Sequence, residues 1–306
     1  MKILLSQIGK LSFSALFVLS LSLVGLVAAQ AQPAGQNPPP KGKKKLPAGS
    51  KGFAQFAGRD ASDKLITGGA TRSVDTDPKP TEAAYKEAIQ SGTASYEEGK
   101  FKEALDAFKQ AATAKPDDFV AQYSIGVTYE AMGQFKEAAE AYKRAVTLKP
   151  DEEHEGQDLL AHYNLGNTYA AAGHHKEAIE VYQQVLRREP RLSVVHYNMG
   201  LSYTVLNQPK EAIGAFNEAL SLKPKRDVEL IHYNLGLAYG KSEQYSEAAE
   251  AFKQALILKP DYPDARYNLG LIYYMLDNQS ALIEQHKILQ TMKPEMASEL
   301  AKLIGK

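Results

Sequence analysis

The chain has 306 residues, a formal net charge of zero and no cysteine, with 44% hydrophobic and 9% aromatic side chains. Zero net charge supplies no whole-protein basic field of the kind that gathers nucleic acid, so no nucleic-acid partner is expected. The missing cysteines exclude disulfide staples and a lipid-modified N-terminal cysteine, which leaves burial as the source of stability.

Residues 1–31 read as a signal peptide. Lys2 and Lys10 precede the uncharged residues 11–29, and Ala29-Gln30-Ala31 has the small-x-small pattern that a signal peptidase reads. The competing reading is an uncleaved anchor, because residues 11–29 are just long enough to span a bilayer. Both readings place the rest of the chain outside the cytoplasm, since the two lysines favour staying inside. The bacterial periplasm or secretion is the expected destination, with membrane proximity through residues 11–29 if the segment is retained.

Residues 32–80 read as a tether. They are rich in Pro, Gly and Lys, with too few large apolar side chains to offset the entropy of ordering them. Residues 33–80 hold nine Lys or Arg against four Asp, which leaves the remainder mildly acidic. The run Lys41, Lys43, Lys44 and Lys45 is either a solvated spacer or a hold for an anionic partner.

From residue 81 the pattern becomes a repeat. Prolines stand at 116, 150, 190, 224, 260 and 294, at intervals of 34, 40, 34, 36 and 34 residues. Aligned on them, Gly126, Gly166, Gly200, Gly236 and Gly270 share one position, and Tyr129, Tyr169, Tyr203, Tyr239 and Tyr273 lie three residues later. Ala104, Ala138, Ala178, Ala212 and Ala248 mark another position, followed at four residues by Phe108, Tyr142, Tyr182, Phe216 and Phe252. These offsets are helical, and each unit reads as two helices, with Gly133 and Gly173 ending two of the first helices and a Lys-Pro pair closing five of the six units. Neither helix can bury its apolar stripe alone, so consecutive hairpins must stack. The spacing and residue types resemble the tetratricopeptide repeat, in six units over residues 81–294. The resemblance implies an all-α, right-handed superhelical solenoid. Residues 295–306 form a capping helix in which Met296, Leu300, Leu303 and Ile304 cover the last hairpin. Unit one departs from the pattern at Ser91-Gly92, and unit six at Leu282, His286 and Leu289, so its second helix should pack differently.

The pentapeptide HYNLG at 162–166 and 232–236, with HYNMG at 196–200 and RYNLG at 266–270, divides by helix geometry. Leu-Gly is packing, and His162, His196, His232 and Arg266 fill one structural slot. Stacked helices lie about 8 to 10 Å apart, whereas zinc ligands converge at about 2 Å from one ion, so the histidines share no metal and no cofactor is expected. Asn164, Asn198, Asn234 and Asn268 lie about 200° from the histidine position and are expected to face out of the core. They resemble the asparagine ladder along the concave face of superhelical tetratricopeptide proteins, where a carboxamide donates to and accepts from the backbone of an extended peptide. Tyr163, Tyr197, Tyr233 and Tyr267, with Leu201, Leu237 and Leu271, complete the expected peptide-binding face. The leucines, together with Leu160, Val194 and Leu230, either line an apolar groove or pack on adjacent hairpins.

No phosphate-binding glycine loop, nucleophile elbow or His-Glu-x-x-His is present in the sequence. His174, His175 and the acidic residues 151–155 read as exposed turn residues. The expected function is that of an exported, non-enzymatic scaffold that takes an extended segment of a protein partner; the alternative is a self-assembling envelope protein. The patterns set neither the partner's identity nor the oligomeric state.

Overall fold

The computed structural model describes residues 81–148 and 157–304. The expected signal segment, the tether and residues 151–155 lie outside them. Among the described residues there are thirteen helices and no strand: α1 (Thr81–Glu97), α2 (Phe101–Ala114), α3 (Phe119–Ala131), α4 (Phe135–Thr147), α5 (Gln157–Ala171), α6 (His175–Arg188), α7 (Ser193–Val205), α8 (Pro209–Ser221), α9 (Val228–Lys241), α10 (Tyr245–Leu258), α11 (Pro263–Met275), α12 (Gln279–Met292) and α13 (Pro294–Ala301). The chain divides between Ala172 and Gly173 into two compact units. In the first, α1 pairs with α2, α3 with α4, and α5 packs on α4. In the second, α6 packs on α7, the hairpins α7–α8, α9–α10 and α11–α12 follow, and α13 packs on the last of them.

The two helices of a repeat are built differently. Second helices are one-sided: α4 buries Ala138, Ala139, Ala141, Tyr142 and Ala145 and leaves its charges in water. Their first turns carry Glu103, Glu137, Glu177, Glu211 and Glu247, each a favourable charge at the positive end of the helix dipole. The first helices α3 and α9 are buried nearly all round. In α9, Tyr233 through Ala238 are buried without interruption, so every face of that stretch meets protein.

Both breaks in the repeat have a backbone cause. The turn inside each hairpin needs one left-handed residue, supplied by Gly99, Gly133 and Gly173 early in the chain and by Asn207, Glu243 and Asp277 later. In several repeats the residue after it closes the helix by donating its backbone N–H to the carbonyl of the repeated tyrosine, as Gln134 does to Tyr129 and Gln208 to Tyr203, both at 2.9 Å. At the other end, Lys115, Lys259 and Lys293 stand just past their helices as C-cap residues, with φ of −134°, −136° and −150°. These lysines stand outside the last turn because a following proline drives its predecessor out of the helical region.

The recurring Gly is a contact point. A Cβ added at Gly92, Gly126, Gly200 or Gly236 would lie 2.6, 2.7, 2.5 or 2.8 Å from a ring carbon of Phe108, Tyr142, Phe216 or Phe252, the buried aromatic on the second helix of the same hairpin. In the last hairpin His286 stands where that aromatic would be, and the space over Gly270 is filled instead by Leu300 of α13, whose Cδ1 would be 2.5 Å from such a Cβ. Leu300 joins Leu271, Leu282, Leu289 and Ala297 in a buried cluster that Met296, Leu303 and Ile304 flank. The capping helix therefore supplies a missing core side chain. Leu300→Ala should lower unfolding free energy by about 2 to 5 kcal/mol in urea titrations followed by circular dichroism; a loss below about 1 kcal/mol would show α13 to be a loosely held appendage.

Candidate functional site

The residues expected to bind a peptide lie on the first helices α5, α7, α9 and α11. Tyr163 and Asn164 on α5, Tyr197, Asn198 and Leu201 on α7, and Tyr267 on α11 are half-buried. Tyr233, Asn234 and Leu237 on α9, and Asn268 and Leu271 on α11, are buried. Leu237 belongs to the core cluster around Phe252 and packs between hairpins, whereas Leu271 belongs to the cluster around Leu300 and packs against α12 and α13.

The asparagines do not all face outward. Asn234 is 8% exposed and Asn268 2% exposed, which corrects the outward placement expected for them. Their carboxamides join successive repeats. The Nδ2 of Asn234 donates to the Tyr197 hydroxyl at 3.2 Å and to the backbone carbonyl of Leu230 at 2.8 Å. The Nδ2 of Asn268 donates to the Tyr233 hydroxyl at 3.3 Å and to the Asp264 carbonyl at 2.8 Å. In the first unit Asn164 makes the same kind of bond to the Tyr123 hydroxyl at 3.0 Å. An amide nitrogen has two N–H groups, so Asn234 and Asn268 have spent theirs inside the protein. Each bond ties an asparagine to the tyrosine one place earlier in the preceding repeat's pentapeptide position.

Tyr123 was outside the expected set, although it occupies the register of Tyr163, Tyr197 and Tyr233; the pentapeptide that marks the others is QYSIG there. Burial holds the hydroxyls of Tyr123, Tyr197 and Tyr233 well above the ordinary phenol range, which keeps them neutral. Beside Tyr123 lies Glu130, near the end of α3, whose Oε2 accepts from the Tyr142 hydroxyl at 2.7 Å. Burial raises the Glu130 carboxyl above its usual value and outweighs the hydrogen bond, which lowers it. A lone acid gives no periodic signal, so the repeat pattern could not single it out.

The histidine slot holds loops. His196 Nε2 lies 3.0 Å from the Pro190 carbonyl, and Arg266, six residues after Pro260 just as His196 is after Pro190, donates to the Pro260 carbonyl at 3.1 Å. His162 Nδ1 lies 2.7 Å from the Asp158 carbonyl. Among the described residues no group of three His, Cys, Asp or Glu could hold a metal ion. Asn278, in a glycosylation-like Asn-Gln-Ser, caps α12 by accepting from the Ala281 backbone N–H.

Two outcomes follow from this geometry. Asn234→Ala removes two internal hydrogen bonds and should cost about 1 to 2 kcal/mol of stability; a melting temperature equal to the parent's would mean that the carboxamide is free for ligands only. Glu130→Gln keeps an acceptor for Tyr142 and removes a charge that burial disfavours. Because the folded state raises this pKa above the unfolded 4.5, the parent loses stability as pH climbs past 4.5, and the variant does not. The variant should melt higher than the parent at neutral pH and alike below pH about 4; a lower melting temperature at neutral pH would reverse the sign of the Glu130 contribution.

Comparison with known proteins bears on this geometry. Residues 92–133 and 241–277 match the family "TPR repeat", and residues 117–190 and 193–226 match "Tetratricopeptide repeat", together more than half of the chain. No curated protein sequence matches. Among solved structures, the chain is similar to MamA protein with a TM-score of 0.51 and 25% identity, over 56% of this chain and 90% of MamA. It is similar to YrrB, described as a TPR protein with an unusual peptide-binding site, with a TM-score of 0.54 and 22% identity, over 65% of this chain and 100% of YrrB. A tetratricopeptide repeat protein from Parabacteroides merdae gives a TM-score of 0.56 at 17% identity, over 73% of this chain and 94% of that one. The hairpin period, the Gly–aromatic contact and these matches agree: the chain belongs to the tetratricopeptide repeat family, whose fold serves protein–protein interaction.

Proposed function

We propose that this chain is an exported, non-enzymatic scaffold that holds an extended segment of a partner protein along the face formed by the first helices α7, α9 and α11 of its second unit. The observation that carries this reading is the recurrence, at one register of the second unit, of the half-buried tyrosines Tyr197 and Tyr267. Half-buried Leu201 and exposed Val194 lie on the same helical run as Tyr197. Apolar and aromatic side chains left half in water on an otherwise well-packed helix suit a ligand that covers them. The peptide-binding site named for YrrB supports a peptide as the ligand class.

The asparagines enter this proposal in two ways. Asn198, half-buried, remains within reach of a ligand. Asn234 and Asn268 act by fixing Tyr197 and Tyr233, so recognition near them falls to the tyrosines. Stacked helices advance about 8 to 10 Å per repeat and an extended peptide about 3.3 Å per residue. Each repeat then meets about every third residue of the ligand, which favours disordered segments with scattered apolar side chains over a strict motif.

A photo-crosslinking residue tests the face directly. Placed at Leu201, it should trap a partner in envelope extracts, and placed at Lys253, exposed on the second helix α10, it should not. The chain recovered in the same experiment should begin at Gln32, as export with cleavage requires. Adducts from position 253 with none from 201 would move the binding site to the outer face.

A further inference from the structure

One edge of the second unit carries a composition that packing does not require. At this edge the second helices end and the next first helices begin. Residues 187–191, from the last turn of α6 into the loop before α7, and 223–227, between α8 and α9, carry the cations Arg187, Arg188, Arg191, Lys223, Lys225 and Arg226 against Glu189 and Asp227. All six cations are exposed. The two loops adjoin, because the Ser193 hydroxyl at the start of α7 donates to the Ala219 carbonyl in the last turn of α8 at 2.8 Å. Arg187, Arg191, Lys223, Lys225 and Arg226 form no ion pair or side-chain hydrogen bond with a described residue. Lys225 and Arg226 stand in the interval from Pro224 to Pro260, which is 36 residues where the repeat takes 34. They are surplus to the hairpin.

The next loop along the same edge adds a second observation. The last turn of α10 ends in Ile257, 68% exposed, and Leu258, 52% exposed. Measured back from the following proline, this register holds Arg187-Arg188 on α6 and Ser221-Leu222 on α8. The edge thus carries a run of exposed cations followed by two exposed branched apolar side chains.

We propose that this edge of the second unit lies on an anionic lipid surface. Guanidinium groups pair in a forked geometry with phosphate, and cations are drawn to the negative potential of anionic headgroups. Ile257 and Leu258 can enter the boundary between headgroups and acyl chains, which removes them from water. An acidic polypeptide would neutralise the cations and leave the apolar pair in water.

The chain contains no tryptophan, so a single one is a unique reporter. In the full chain, Ile257→Trp places it on the edge, and Gln208→Trp places it in the exposed turn between α7 and α8, at the other ends of the same helices. With phosphatidylcholine vesicles containing phosphatidylglycerol, emission from position 257 should shift to the blue and be quenched by brominated acyl chains, while position 208 stays water-like. Changing Arg187, Arg191, Lys225 and Arg226 together to Gln should weaken the lipid dependence of that shift about tenfold or more. Because the reporter reads only its own surroundings, attachment through the N-terminal segment alone leaves position 257 unchanged. Unchanged emission at 257, an equal response at 208, or an equal response to vesicles of phosphatidylcholine alone would overturn the proposal. A response to polyglutamate with none to vesicles would also overturn it and make an acidic polypeptide the occupant.

Discussion

In four hairpins a glycine on the first helix lies directly against an aromatic ring on the second. With less than 3 Å between the place a Cβ would take and a ring carbon, the two helices cannot be held at this distance by any other residue at that position without a shift. A glycine inside a helix costs about 1 kcal/mol relative to alanine, and the ring that seats against the bare backbone offsets this by burying an entire aromatic side chain. The repeated alanines serve the same close approach: Ala104, Ala138, Ala178, Ala212 and Ala248 are completely buried. Once the helix spacing in a hairpin is fixed, the faces and ends of the helices recur in the same relation from one repeat to the next within each unit. The last hairpin obeys the rule by another route. Having His286 in place of a large aromatic, it draws Leu300 from the following helix into the same space.

Periodicity made the packing residues legible because they answer to a single partner, the other helix of the hairpin. Gly, Ala and the aromatic lie at fixed offsets from a proline, and each falls where the offsets place it. Asn234 and Asn268 depart from the expected outward placement for the converse reason. An angle of about 200° measured on one helix says which side a residue takes relative to its own hairpin and nothing of the neighbour on that side. For a first helix in a stack, the side turned away from its partner faces the first helices of adjoining repeats. Asn234 and Asn268 meet Tyr197 and Tyr233 there, and their burial follows.

This arrangement changes what a polar ladder does. An asparagine that gives one N–H to its own helix, four residues back, and the other to a tyrosine hydroxyl of the preceding repeat is satisfied on its donor side and stiffens the stack. The tyrosine is held in turn: burial keeps its hydroxyl neutral and able to accept, and its ring lies near the hairpin aromatic, as Tyr197 does against Phe216 at 5.9 Å and Tyr233 against Phe252 at 5.8 Å between centroids. Glycine contact, aromatic and tyrosine thus form one connected set in each of these repeats. A ligand along the first-helix face would meet side chains already fixed in orientation, which reduces the entropy lost on binding.

Variation is confined by the same logic. A residue inserted within a helix would rotate everything after it by 100° and break the Gly–aromatic register, so extra residues can enter only between repeats. The two long intervals, 40 residues from Pro150 to Pro190 measured from Pro150 and 36 from Pro224 to Pro260, must each be read against that constraint, and the second places its surplus at Lys225 and Arg226 in an exposed loop. Residues there answer to nothing in the core. At positions where the hairpin imposes no demand, an excess of cations and uncovered branched side chains are not consequences of folding, and this separates the loop edge from the first-helix face, where Asn234 of α9 and Asn268 of α11 are also part of the stack.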